Sequence, residues 1–308
     1  MVLPQSSPRR RNGASAIVIG VVLGVMASSF VFLLCQTPPP IRPQMLLQST
    51  LQSSSGDRGW SQIHVFYGDQ QHLPDTSTIP REYFATHEWF SQVRQDEIVY
   101  QLLHAKKNGY FVDLAANDAV RISNTYALER KGWSGICIEP NPIYWASLSY
   151  RNCHVAAAVV GADRMQSVSF KYPNRAGPKG GIVGQDFDNK EPSQYGEDHP
   201  RYTVPLQEIL ERFHAPAVID YLSLDVEGAE MLVLGKFPFD RYRFQVLTIE
   251  RPSNDTEKLL QRNGYMLLKN LKRFETLWVH QSFADSINRK ALEIDTEHYR
   301  YRESTAVQ

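Results

Sequence analysis

The chain has 308 residues, of which 42% are hydrophobic and 21% charged, with 33 Lys plus Arg set against 33 Asp plus Glu. This composition supports an ordinary buried core over most of the length and excludes a wholly disordered chain. The formal net charge is zero and the basic residues are scattered, not striped, so nothing marks a polyanion site and nucleic acid is not an expected partner.

Residues 14–35 run without a charge. A helix rising about 1.5 Å per residue over that length covers the roughly 30 Å hydrocarbon layer. Arg9, Arg10 and Arg11 precede it, so the positive-inside bias keeps residues 1–13 in the cytosol and sends the rest across, as a single-pass type II protein. A cleaved signal peptide fits less well, because its apolar core is only about 7–15 residues. Gly20 and Gly24 have the small-residue spacing of packed membrane helices, which allows a homodimer. Residues 36 to about 60 are rich in Pro, Gln and Ser and lack a periodic apolar face, 61–80 gives no clear pattern, and 36–80 together read as a stem or linker. The same layout is found in Golgi enzymes that modify glycans, which leads us to expect a lumenal domain in the secretory pathway.

From residue 81 to 285 strands and helices alternate, and 286–308 reads as a C-terminal tail. A helix over 91–107 leads to a buried strand at 110–115, a helix at 123–130, a strand at 135–139, a helix at 142–151 and a strand at 154–160. The pattern resumes with a helix at 206–213, a strand at 218–224, a short helix after Gly228 and a strand at 244–250. A helix at 256–262 and strands at 265–268 and 276–279 close it. This is an α/β pattern, a mostly parallel sheet with helices on both faces, and any ligand belongs beyond the carboxyl ends of the strands. Asp113, Glu139, Asp225 and Glu250 each fall at such an end. An unpaired buried charge costs several kcal/mol, so four acids on one rim argue for a ligand.

Glu139 lies about 20–30 residues beyond the first strand's turn, where a carboxylate accepts hydrogen bonds from the ribose hydroxyls of a nucleoside cofactor. No G-x-G-x-x-G turn follows Asp113 to hold a pyrophosphate, which disfavours a nucleotide-dependent oxidoreductase. S-adenosylmethionine has no phosphate and needs no such turn.

Three blocks, Phe111-Val-Asp-Leu-Ala-Ala-Asn-Asp118, Trp133-Ser-Gly-Ile-Cys-Ile-Glu-Pro-Asn-Pro142 and Leu224-Asp-Val-Glu-Gly-Ala-Glu230, resemble the FkbM family of methyltransferases over about residues 95–280. The resemblance implies a Rossmann-like class I fold with a seven-stranded sheet and S-adenosyl-L-methionine as cofactor. It further implies that Asp113 and the backbone of Ala115, Ala116 and Asn117 hold the amino-acid part of the cofactor, Glu139 the ribose, and Asp163 the adenine amino group. Asp163 also reads as part of a plain turn. Asp225, Glu227 and Glu230 then follow the fourth strand, where the class places groups that face the acceptor, and Asp225, Glu227 and Glu250 are the candidate bases, with Asp225 first. Glu230 reads equally as a cap for the helix after Gly228. The family's first block usually has glycine where Ala115 and Ala119 stand, and alanine there is costly wherever φ is positive.

Methyl transfer to a hydroxyl needs alignment and the removal of one proton, so the expected activity is O-methylation of a glycan or another small hydroxyl-bearing acceptor. The rival reading is a membrane-tethered binding or trafficking module that keeps the fold without catalysis. Asp225 and Glu250 offer hard oxygen ligands of the magnesium type, but no pattern requires a metal, and the nine histidines show no paired-ligand spacing. Cys137 and Cys153, in neighbouring predicted strands, either form a disulfide if the domain is lumenal or remain buried thiols. Asn254-Asp-Thr256 is a glycosylation sequon under the same condition. Residues 174–200 read as a long loop, either a lid over the acceptor or a plain exposed connection.

Overall fold

A computed structural model of the protein describes residues 64–66, 87–172, 180–190, 198–272 and 275–299. Its elements, in chain order, begin with strand β1 (His64–Phe66), helix α1 (Gln95–Leu102), β2 (Tyr110–Leu114), α2 (Tyr126–Arg130), β3 (Ser134–Ile138), α3 (Pro142–Leu148) and β4 (His154–Ala157). The short strands β5 (Val159–Gly161), β6 (Ser167–Lys171) and β7 (Gly181–Ile182) follow, then β8 (Asp198–Pro205) and α4 (Leu206–Arg212). The last are β9 (Val218–Leu224), α5 (Glu230–Leu234), β10 (Arg243–Glu250), α6 (Asn254–Arg262), β11 (Tyr265–Asn270) and β12 (Glu275–His280).

The main sheet has eight strands in the order β1-β4-β3-β2-β9-β10-β12-β11. The ladders from β4 through β10 are parallel, while β1 and the final β12–β11 pair join antiparallel. Successive side chains of a strand point to opposite faces, so each parallel strand supplies both halves of the core. Phe111, Cys137, Val155 and Tyr221 pack on one face with Leu102, Leu128 and Leu148 of α1, α2 and α3. Val112, Ile136, Ala156 and Leu222 pack on the other with Leu210, Leu234 and Leu260 of α4, α5 and α6. Gly135 lets β3 lie close to β2, since a Cβ there would stand 2.3 Å from the Phe111 carbonyl oxygen. Local signals set the helix starts. Asn141 accepts from the Ile143 amide with Pro142 in the first turn of α3, and Ser253 accepts from the Thr256 amide at α6.

Several expectations change. The sheet has eight strands, not seven, and although its four central ladders are parallel as expected, the three outer ones are antiparallel, so it is mixed. The strand expected over 154–160 divides at Ala158. Its pairing with β3 ends at Ile138↔Ala156, and β5 leaves to pair in parallel with β8 in a second sheet of order β5-β8-β6-β7. Part of the supposed loop over 174–200 is therefore sheet, while 173–179 and 191–197 lie outside the described residues. Residues 64–66, assigned to the stem, form the edge strand β1. Residues 286–299, read as a tail, pack against α1. Ile287 and Ala291 are buried in its core cluster, and the Asn288 amide donates to the Leu102 carbonyl. Cys137 and Cys153 form a disulfide, so the buried-thiol alternative falls away. The cytosolic tail, the membrane helix over 14–35 with its glycine pair, and most of the stem lie outside the described residues. Among those described, no helix is long and apolar enough to cross a membrane.

Candidate functional site

Where β2, β3, β9 and β10 end, a cleft of about 860 Å³, open mouth included, is lined by Asp113, Ala115, Ala116, Asn117, Glu139, Asn141 and Tyr144 and, further along, by Asp225, Glu250 and Glu275. Phe170 of the second sheet and Gly180 complete one wall.

Asp113 forms the floor of the cleft. Its carboxyl is 2% exposed and accepts from Thr125 Oγ1 at 2.5 Å, while Thr125 Oγ1 accepts from Arg151 Nη2 at 3.0 Å. Arg151 is itself buried against Glu129. Burial raises the Asp113 pKa, opposed by the Thr125 bond, the Arg151 charge and a bond from Ser223. Asp113 is thereby tied to Thr125, the N-cap residue of α2.

That turn is made by alanine in a glycine conformation. Ala115 has φ 67° and Asn117 φ 55°. The amides of Ala115 and Ala116 both donate to the Ile138 carbonyl, at 2.9 and 3.1 Å, which folds the chain back over the end of β3. The Asn117 amide donates to Glu139 Oε2 at 2.8 Å, and the Asn141 amide to Oε1 at 2.7 Å. Ala119, at the family's other glycine position, is buried and keeps an ordinary φ. The departure from glycine thus has a backbone cost at Ala115 alone. Burial pushes the Glu139 carboxyl up to about 7 despite the two amide bonds, with Asp113 adding to the rise.

The opposite end of the cleft is crowded with acids. Asp225, Glu227 and Glu250 each bring an oxygen within 4.8 Å of the other two. Burial raises the Asp225 pKa well above its ordinary value, and Glu250, Glu275 and Glu227 add to the rise. Burial also raises Glu227, helped by Glu250 and opposed by Arg251. Arg251 Nη2 stands 2.8 Å from oxygens of Asp188, Glu227 and Glu250. Glu230 is 1% exposed and accepts from the Gly228 amide, the capping alternative, and burial lifts it to about 7.

Asp163 takes a different place from the one expected. Because β5 has left for the second sheet, its carboxylate lies at the surface paired with Lys236, at 2.8 and 2.7 Å, and does not line the cleft. Glu275 was not foreseen. It sits opposite Glu250 in the antiparallel β10–β12 ladder, buried, and is pushed up to about 8 by burial with Glu250 adding and bonds from Thr248 and Gln95 opposing. An antiparallel strand brings its first residue, not its last, to the rim, and an acid just ahead of the last predicted strand was the available signal.

The Methyltransferase FkbM domain model matches residues 113–271, just over half of the chain. The chain belongs to the FkbM methyltransferase family. The matched span runs from Asp113 through the acids at the ends of β9 and β10, and the fold is the α/β fold of a methyltransferase with a mixed sheet. No curated protein gives a significant match. Among solved structures the chain is similar to a precorrin-6y C5,15-methyltransferase from Geobacter metallireducens GS-15, at 13% identity and a TM-score of 0.31, over 60% of this chain and 85% of that one.

Proposed function

We propose that this FkbM-family chain is an S-adenosylmethionine-dependent O-methyltransferase acting on a hydroxyl of a glycan or another alcohol at a membrane. The observation that carries this reading is one cleft joining the Ala115–Asn117 turn and Glu139 to the Asp225–Glu250 acids. The residues fit the cofactor. Each Glu139 oxygen accepts one amide and keeps a second lone pair for a ribose hydroxyl. The acids beyond suit a sulfonium, and buried Asp225 Oδ1 has no partner. Glu139, Asn117 and the turn would hold the cofactor, whose contribution when bound is an electrophilic methyl group.

The chain's own residues supply the rest. Tyr144 and Phe170 wall the cleft against water, and the Asp225–Glu250 pair takes the proton of an acceptor hydroxyl aligned before it. We place the domain on the lumenal side of a secretory-pathway membrane, anchored by residues 14–35. The apolar run and Arg9–Arg11 support the anchor, and the Cys137–Cys153 disulfide supports an oxidising compartment.

Ala115 at φ 67° favours the rival, a tethered module without catalysis, because backbone strain weakens the turn that would meet the cofactor. Calorimetric titration of the full chain in detergent with S-adenosylmethionine, in EDTA, separates the two. Binding that Glu139→Ala removes supports the enzyme, whereas well-folded protein that takes up no S-adenosylmethionine would leave the module.

A further inference from the structure

Among the described residues, acids outnumber bases around Arg251. Its Nη2 alone meets Asp188, Glu227 and Glu250, each at 2.8 Å, and Glu275 lies opposite Glu250 on the neighbouring strand. Lys272, the lysine lining the cleft, instead gives its ammonium to the Glu297 carbonyl at 2.6 Å. Asp225 faces the same space, and its Oδ1 is wholly buried without a hydrogen-bond partner.

We propose that Asp225, Glu227 and Glu250 bind one hard divalent cation of the magnesium or manganese type. Their oxygens lie within 4.8 Å of one another, from the ends of two neighbouring strands and the turn after one of them. Oxygens held about 2.0–2.1 Å from a magnesium ion lie no more than about 4.2 Å apart, so the carboxylates must close in by about half an ångström to enclose one. Three carboxylates at a cleft mouth leave positions for water and one further oxygen, the sparse coordination that magnesium accepts. The buried Asp225 oxygen gains the partner it lacks. Arg251, 42% exposed in its side chain, can swing out and leave Glu227 and Glu250 to the ion.

This deepens the reading above and rests on it in one respect only. If the acceptor is an alcohol, the ion would hold the hydroxyl oxygen and lower its pKa, and the proton would pass to the Asp225 or Glu250 oxygen left outside the ion's shell. Binding of the ion itself does not depend on the cofactor, so failure of one leaves the other standing.

The test uses the full chain in detergent with manganese alone, followed by water-proton relaxation. We expect one saturable manganese per chain, displaced by magnesium. Glu250→Gln should weaken it about tenfold or more, and Arg251→Ala should tighten it by removing the competing cation. Glu227→Gln serves the same purpose if the Glu250 variant melts early. No saturable binding up to about 10 mM, or binding unmoved by the carboxylate variants, would overturn the site and leave a proton as the occupant of the Asp225–Glu250 pair.

Discussion

Ala115 adopts φ 67° because the Ile138 carbonyl takes two successive amides and the chain must then deliver the Asn117 amide to Glu139. A non-glycine residue in that region costs about 1–2 kcal/mol, partly offset by the extra freedom glycine has when unfolded. Ala115→Gly should therefore stabilise the domain by about 1 kcal/mol, a rise of about 2–4 °C in melting temperature for a fold of this size. Ala119→Gly makes the internal control. With an ordinary φ and a buried methyl, it should lose about 1 kcal/mol. If both variants fell together in a thermal melt, strain at Ala115 would not be the explanation. If Ala115→Gly also tightened S-adenosylmethionine binding, the alanine would be a tuned weakness of a working site.

The disulfide ties β3 to the start of β4, closing a loop of 16 residues around α3. Closing a loop of that length stabilises by about 3 kcal/mol in the chain-entropy picture. A Cys137→Ala, Cys153→Ala double variant should lose about that much in urea unfolding. The same bond tests the proposed compartment: alkylation of protein made in cells, before any reduction, should label neither cysteine, and labelling of both would place the domain in a reducing space. Most central elements were legible because parallel strands buried on both faces are mainly apolar runs, as in Phe111–Leu114 and Ile219–Leu224, interrupted only by Asp113, Asp220 and Ser223. The second sheet was not. In β6 only Phe170 is buried, and β7 has just two residues, so no periodicity announces either. Asp163 was misplaced for the same reason, since the exit of β5 is settled by its partner β8, more than forty residues later, and not by local sequence.

Across the whole domain, the acids that stand out are buried ones with raised pKa values: Asp96 near 6, and Glu139 and Glu230 near 7, each lifted chiefly by burial. Each is 5% exposed or less, so solvent screens them little. In the unfolded chain the same groups titrate near 4, so between about pH 4 and 7 the folded state binds more protons and stability falls as pH rises. Their contribution is fully present below the unfolded values and gone once pH has passed the folded ones, on the order of several kcal/mol in sum. In EDTA, without ligand, the domain should melt several degrees lower at pH 8 than at pH 5.5. A melting temperature that climbed over this range would mean that these carboxyls are ionised and paired in solution. The cofactor should show the opposite sign. A ribose hydroxyl donates to an ionised carboxylate, and the sulfonium is cationic, so stabilisation by S-adenosylmethionine should grow as pH rises through 7 and Glu139 loses its proton. Glu139→Gln, which cannot ionise, should flatten that growth while leaving the fall of the unliganded domain smaller but present, because Asp96 and Glu230 remain.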